Sequence, residues 1–400
     1  MGQLTEFFMK SPGGPPPNMG FAMPMMKNWV PRCVQPWLYV LTALCFQFGG
    51  GYYLGALDVI RGTTNFMIED VMFLLYASLA GMAAYFPMLF RMKFRFTNKQ
   101  LLCWSAIILA VCNMVTMYSQ SMPVLIVACF IAGMAKIQGT FECMSNIQLW
   151  ITPRRDFSVF FPVLHIILLT AIEGSGWLAA WFGHHFTWQM MHVFTVGTMS
   201  LTLLIQLVCC RPFCPMPRRL SLKGMDFQGA LLICVLMLIL SYIVVYGDHY
   251  MWFDSLHMRV LLGIAIVLAG ILLLRLRYYR YPYVEFKLFT FRNVVPILIV
   301  TFFAELALGA EHTMEEILYS EVIRLEELTK ESQYMWVLPG MYVGILIDIY
   351  WLNVRKWKVW KLFGIAFLSI ALYGMLMYFT LGTGVNIEQY RLAIFLRGFS

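Results

Sequence analysis

Thr170–Gly197 reads TAIEGSGWLAAWFGHHFTWQMMHVFTVG. It holds the core of one long apolar run, a short polar break at Gly183–Thr187, and the start of a second run. Glu173 sits near the middle of the first run, with Gly174, Ser175 and Gly176 beside it. An acid at membrane depth is expensive, so it marks a function or a paired structural site. Small residues at such a place let a neighbouring backbone come close.

The whole composition agrees with a membrane setting. Hydrophobic residues make up 60% of the 400 residues and charged ones 12%, against about 25% charged in a soluble domain. The net charge of +8 falls in short loops, which topology explains better than nucleic acid does. Ten cysteines scattered through apolar runs argue against a disulfide framework. Cys209, Cys210 and Cys214 lack a standard metal spacing. Gly2 is followed by Glu6 where N-myristoylation would need Ser or Thr.

A bilayer-crossing helix needs about 20 apolar residues. Eleven runs qualify: 37–57, 71–89, 101–117, 122–149, 159–182, 188–209, 227–245, 260–274, 294–308, 335–351 and 362–381. A twelfth opens at Tyr390. The runs are continuous, not alternating, which excludes a β-barrel pattern. The expectation is an all-α membrane protein. Its parts are a cytoplasmic tail (1–36), a first six-helix half (37–210), a linker (211–226), an inserted helix pair with its link (227–292), and a second half (293–400).

Basic clusters follow spans 2, 4, 6, 8 and 10: Arg91, Lys93 and Arg95; Arg154 and Arg155; Arg211, Arg218 and Arg219; Arg275, Arg277 and Arg280; Arg355, Lys356 and Lys358. Loops after odd spans are neutral or acidic. The positive-inside rule then puts the N-terminus in the cytoplasm. Two of the basic loops, Phe90–Leu102 and Trp351–Phe363, look like copies. If they mark one point in two repeats, spans 1–6 match spans 9–14 and spans 7 and 8 are inserted, a transporter habit. That design predicts further helices beyond LAIFLRGFS, since a half-crossed helix leaves carbonyls unsatisfied in lipid.

Glu311, Glu315, Glu316, Glu321, Glu326, Glu327 and Glu331 crowd the loop after span 9. With Leu318, Val322 and Leu325 at helical spacing, they predict an amphipathic outer extension of that span. It would attract cations, dock a partner, or simply be a solvated acidic face.

Gly176–Phe194, GWLAAWFGHHFTWQMMHVF, resembles the end of span 5 and start of span 6 in the fourteen-span drug:proton antiporters of the major facilitator superfamily. Met225–Ser255 is similar to that family's inserted span 7 and the loop after it. YRYPYVEFKLFTFRNV at Tyr279–Val294 is similar to its link before span 9, and Arg397-Gly398 resembles the start of its twelfth span. Where the superfamily carries Arg in span 4, this chain has Cys129; where it carries Gly-Pro in span 5, this chain has Ala171 and Ile172. Ser175 and Gly176 keep the second half of that motif, and Arg91, Lys93 and Arg95 keep only the basic end of the loop after span 2. The resemblance implies the major facilitator fold, with 6+2+6 helices, and conformational gating by the basic loop. It also implies proton-coupled efflux of hydrophobic or cationic molecules across a plasma (inner) membrane. Relatives of this kind work with a membrane-fusion adaptor.

Proton coupling needs a buried carboxylate that can load and release a proton. Glu173 fits in the first half, either alone or paired with Lys136 of span 4. The two differ in height by about 8 Å at 1.5 Å per residue. Glu305 in span 9 is the second candidate. Glu142 reads as a partner for a basic loop residue, Arg397 needs an acid such as Glu305, and His165 reads as an interior histidine. Asp58 and Asp348 lie near span ends. No cofactor is implied: the sequence has no GxxxxGK[ST], HExxH or GxSxG run. Two rival readings remain. A membrane-embedded transferase would need polar groups gathered at one interface, where only His184 and His185 stand. A non-transporting structural or sensor relative is the other.

Overall fold

The computed structural model describes residues 25–50, 53–152, 157–214, 226–292, 294–353, 355, 357–380 and 387–399. Fifteen α-helices run through them. The first half holds α1 (Gln35–Phe48), α2 (Leu57–Thr63), α3 (Ile68–Tyr85), α4 (Leu89–Arg95), α5 (Asn98–Tyr118), α6 (Met122–Ile151), α7 (Phe157–His185) and α8 (Gln189–Cys209). The inserted pair is α9 (Phe227–Tyr246) and α10 (Leu256–Tyr278). The second half holds α11 (Val294–Ile317), α12 (Glu327–Tyr334), α13 (Val337–Asn353), α14 (Val359–Thr380) and α15 (Ile387–Phe399). Ten helical stretches among the described residues are long and apolar enough to cross a membrane. They coincide with the expected spans 2 to 11.

Span 1 differs from its expectation. Its helix stops at Phe48, before Gly49-Gly50-Gly51, and resumes through a 3₁₀ turn at Leu54–Ala56 into α2. Each glycine costs about 1 kcal/mol in a helix relative to alanine, so three in a row break it. The basic segment after span 2 is not a loop either. Pro87 sits in a 3₁₀ turn, Phe86–Met88, and the helix continues as α4. Thr97 and Gln100 then form a capping box that starts α5. Residues 25–34, expected to belong to a loose tail, are held. Lys27 N–H donates to the Cys209 carbonyl and Arg211 N–H to the Met25 carbonyl, both at 2.8 Å. The first bond satisfies a carbonyl that the end of α8 leaves open. Residues 1–24 and 215–225 lie outside the described residues.

Glycine sets the closest crossings. A methyl group at Gly81 on α3 would overlap the Phe130 carbonyl oxygen on α6, and one at Gly133 would overlap the Ser78 carbonyl oxygen. A methyl at Gly340 on α13 would overlap the Phe395 oxygen on α15, and one at Gly398 the Val337 oxygen. Both crossings use the same three-residue spacing on both helices: 78/81 against 130/133, and 337/340 against 395/398. This is what a duplicated unit matching span 2 to span 10 and span 4 to span 12 would leave. A polar tie between first and third spans also recurs. The Tyr53 hydroxyl meets Asn113 at 3.3 Å, and the Tyr373 hydroxyl meets Glu315 at 2.7 Å. Cys129 is fully buried in an apolar cluster with Val71, Leu74, Leu125 and Ala179, so its position carries packing, not charge. None of the ten cysteines is in a disulfide.

The inserted pair docks on α3. Phe73 packs with Leu236, Ile243, Tyr246 and Met258. Tyr246 donates to Asp70, and Tyr283 donates to the Ala84 carbonyl. Asp226 caps α9 through the Gly229 N–H and accepts a fork of hydrogen bonds from Arg275 at 2.7–3.0 Å. Burial opposes ionisation there. The Arg275 hydrogen bonds, the Gly229 amide and the Arg275 charge outweigh it and hold the carboxyl below its ordinary value.

Gly133→Leu should lower the thermal unfolding temperature in detergent by the equivalent of about 1–3 kcal/mol. Gly263→Leu, where a methyl meets nothing within 4 Å, should leave it unchanged; equal effects would remove the crossing argument. The Asp226 link has a depressed folded pKa, so its stabilisation is present above the ordinary carboxylate range and lost as pH falls through the folded value. The destabilisation caused by Asp226→Asn, measured by unfolding at pH 7 and pH 3, should therefore shrink at the lower pH.

Candidate functional site

A cavity of about 640 Å³ opens between α7 of the first half and α13 and α15 of the second. Glu173 and His165 line it from α7, Asp348 from α13, Arg397 from α15 and His312 from α11. Phe161, Leu169, Val337 and Met341 supply apolar wall.

Arg397 is the hub of its charge. Arg397 Nη1 lies 2.8 Å from Glu315 Oε2 and 3.2 Å from His312 Nδ1. Glu315 is fully buried and accepts from the Tyr373 hydroxyl through its other oxygen. Its neighbour Glu316 accepts from Lys330 Nζ and from the Tyr334 hydroxyl, each at 2.7 Å. Glu173 interacts electrostatically with Arg397, Glu315 and Glu331. Glu173, Glu315, Glu316 and Glu331 thus share two cations, Arg397 and Lys330.

The acidic stretch after span 9 builds much of this, and here the structure corrects the sequence reading. Span 9 does extend as a helix to Val322, as expected, but the extension is not a solvated outer face. The helix ends in a π turn at Leu318–Val322, and Arg324 adopts a left-handed φ of 57°. Leu325 N–H then donates to the Tyr319 carbonyl at 2.8 Å, so the chain turns back into α12. Leu318, Tyr319 and Tyr334 pack with Tyr373, Tyr390 and Ile394. That apolar packing draws Glu315, Glu327 and Lys330 inside, while Glu321 and Glu326 stay exposed.

The two halves close on each other along α7. Thr170 meets the Tyr342 hydroxyl at 2.8 Å, Trp177 donates to Ser332 at 3.3 Å, and His184 pairs with Glu326 at 2.7 Å. Glu327 accepts from the Asp58 N–H at 2.8 Å. Gly176 leaves room for Glu331, whose Oε2 would be 2.8 Å from a methyl there, and a methyl at Gly55 would overlap the Gly176 carbonyl oxygen. From Thr170 to His184 is about 21 Å of helix. The links run toward the end opposite the basic segments, so that end is shut.

The sequence candidates divide. Glu173 stands at the cavity, as do His165 and Asp348. Lys136 is half-buried on α6, and no ion pair among the described residues joins it to Glu173. Glu305 is exposed on α11, and Arg397 pairs with Glu315 in its place. Glu142 does pair with a basic residue: Lys93 Nζ lies 3.7 Å from its Oε2 and over the Phe141 ring. Arg91 borders a small recess with Asp226 and Tyr283, and Arg95 lies over the Phe96 ring. Sequence reasoning missed Glu315, Glu316, Glu331 and His312 as site residues. The signal for Glu315 and Glu316 was their place within one continuous helix with span 9.

No family profile matches this sequence, and no curated protein does. Solved structures do. The peptide transporter POT in complex with sulfate superposes with a TM-score of 0.58 at 13% identity, over 93% of this chain and 80% of that one. A variant of POT in complex with alafosfalin gives 0.58 at 12% identity over the same shares. The likeness establishes the major facilitator fold for this multi-pass helical membrane protein.

Removing one member of the buried pair should cost more than removing both. Arg397→Gln leaves Glu315 buried and uncompensated, a loss of about 3–5 kcal/mol. Adding Glu315→Gln should recover much of it in a double-mutant cycle read by thermal unfolding; additive losses would dissolve the pair. Gly176→Leu, which drives a side chain into the Glu331 carboxylate of the other half, should push the shut end apart. A thiol-reactive probe at Ser332→Cys would then label faster than in the parent, and unchanged labelling would mean that Gly176 does not set the closure.

Proposed function

We propose that the protein is a secondary active transporter that carries a small solute through the cavity between its halves, coupled to protons by Glu173 and the Arg397–Glu315 pair. The observation that carries this reading is the position of Glu173 on one wall of the cavity and Arg397 on the other. In the shut arrangement, Arg397 is held by Glu315. An ionised Glu173 competes for the same guanidinium across the gap between the halves; a protonated Glu173 does not. Protonation therefore changes how strongly the halves hold together at the cavity, which is the coupling that alternating access requires. The links at Thr170, Trp177, His184 and Asp58 act as the gate at the closed end. Separating them while the opposite end closes would expose the cavity to the other side.

The solute reading follows the cavity's chemistry. Glu173 and Asp348 among apolar walls favour an amphipathic cation, and efflux in exchange for protons, toward a membrane-fusion adaptor, is the direction that the antiporter resemblance favours. A second reading rests on Arg397. A guanidinium beside the cavity favours a solute with a carboxylate, and POT, whose fold is similar, is a peptide transporter.

Purified full-length protein in liposomes, with an imposed proton gradient, tests this. Wild type should move a lipophilic cationic dye, or else a short peptide, in a gradient-dependent way. Glu173→Gln should abolish gradient-driven movement at equal reconstituted amount while leaving solute binding within a few-fold. If the variant still concentrates solute on the gradient, Glu173 is structural. If wild type moves neither solute, both solute readings fall.

A further inference from the structure

A second cavity, of about 320 Å³, lies on the flank of the first half, between α3–α4, α5 and α6. Its mouth is at Phe96 and Gln100, where the basic segment turns into α5. Trp104, Ile108 and Ile131 form its walls. Trp104 and Ile131 are 66% and 40% exposed, so the groove opens sideways toward hydrocarbon. Three buried polar side chains interrupt its apolar lining: Tyr85, Ser105 and Gln138. Gln138 is 4% exposed and its side-chain oxygen accepts from the Tyr85 hydroxyl at 3.1 Å. Its Nε2 is buried with no hydrogen-bond partner among the described residues. A buried donor left unmade is costly.

We propose that this groove binds an anionic glycerophospholipid by one acyl ester. The ester carbonyl accepts from Gln138 Nε2, the chain follows Trp104, Ile108 and Ile131, and the headgroup reaches Arg95. Three features choose this occupant. The open side faces the bilayer, so the ligand comes from the bilayer. The orphan group is a donor, which demands an acceptor oxygen on an otherwise apolar molecule. From Gln100 to Ile108 the groove wall descends about 12 Å, the depth of an acyl chain's upper half. Arg95, stacked over the mouth residue Phe96 at 5.8 Å, supplies positive charge at headgroup level. This site is separate from the central cavity and does not depend on the transport reading.

Native mass spectrometry of the full chain in detergent tests it, with added ester-linked phosphatidylglycerol, its dialkyl-ether analogue and phosphatidylcholine. Wild type should bind the ester lipid roughly three- to tenfold more tightly than the ether analogue, the worth of one hydrogen bond. Gln138→Leu should erase that difference. Arg95→Gln should weaken phosphatidylglycerol and leave phosphatidylcholine unchanged. Ala135→Phe, which fills the groove from α6, should remove all three adducts. Thermal unfolding confirms that each variant is folded. Equal binding of ester and ether lipids in wild type, or persistence of the adducts in Ala135→Phe, overturns the proposal and leaves Gln138 satisfied by water alone.

Discussion

A guanidinium inside an apolar bundle has to be neutralised where it stands. Arg397 is neutralised by Glu315 at 2.8 Å, and much of the second half is arranged so that this can happen. Helix α11 carries Glu315 inward at full burial, and Tyr373 holds the second carboxylate oxygen. The π turn and the left-handed Arg324 then reverse the chain, so that α12 returns along the same face and Lys330 meets Glu316. Glu173, from the other half, looks into this arrangement across the cavity. The charge cluster and the contact between halves are therefore one structure.

Glycine makes the geometry tight enough to matter. At Gly81 and Gly133, and again at Gly340 and Gly398, helices cross with backbone against backbone. Without a hydrophobic drive between helices in lipid, such close packing holds membrane bundles together. The crossing in the second half fixes α15 against α13, and so fixes where Arg397 points. Gly176 does the same between the halves, where it leaves room for Glu331, and Gly55 seats the turn of span 1 against it within the first half. The Gly-Ser-Gly beside Glu173 thus has a physical role, since it lets the 3₁₀ turn of span 1 and the Glu331 carboxylate approach α7.

Much of this was legible in the sequence. Continuous apolar runs announced spans 2 to 11, because a helix in lipid must be apolar along its whole length. Glu173 stood out for the same reason, as did the need of Arg397 for an acid. Glu142 was readable as a tether for a basic residue and is one, through Lys93. Other parts were not legible. The acidic stretch looks like a solvated surface by composition, since nothing local says that Leu318, Tyr319 and Tyr334 will be buried by Tyr373 and Tyr390. The partner of Arg397 was sought at Glu305, on the right helix and more than two turns away. Helix number and polarity do not fix which face of α11 meets α15.

The sequence by itself determined that this chain is a bundle of membrane-crossing helices with a carboxylate at depth in span 5, because hydropathy and burial cost are local properties of a segment. Tertiary structure alone decided which charges meet. Arg397 takes Glu315 and not Glu305, no ion pair among the described residues joins Lys136 to Glu173, and Asp348 joins the cavity. Those choices depend on helix rotation and crossing height. Both are set by the glycine contacts between distant segments and by no periodicity within any one of them.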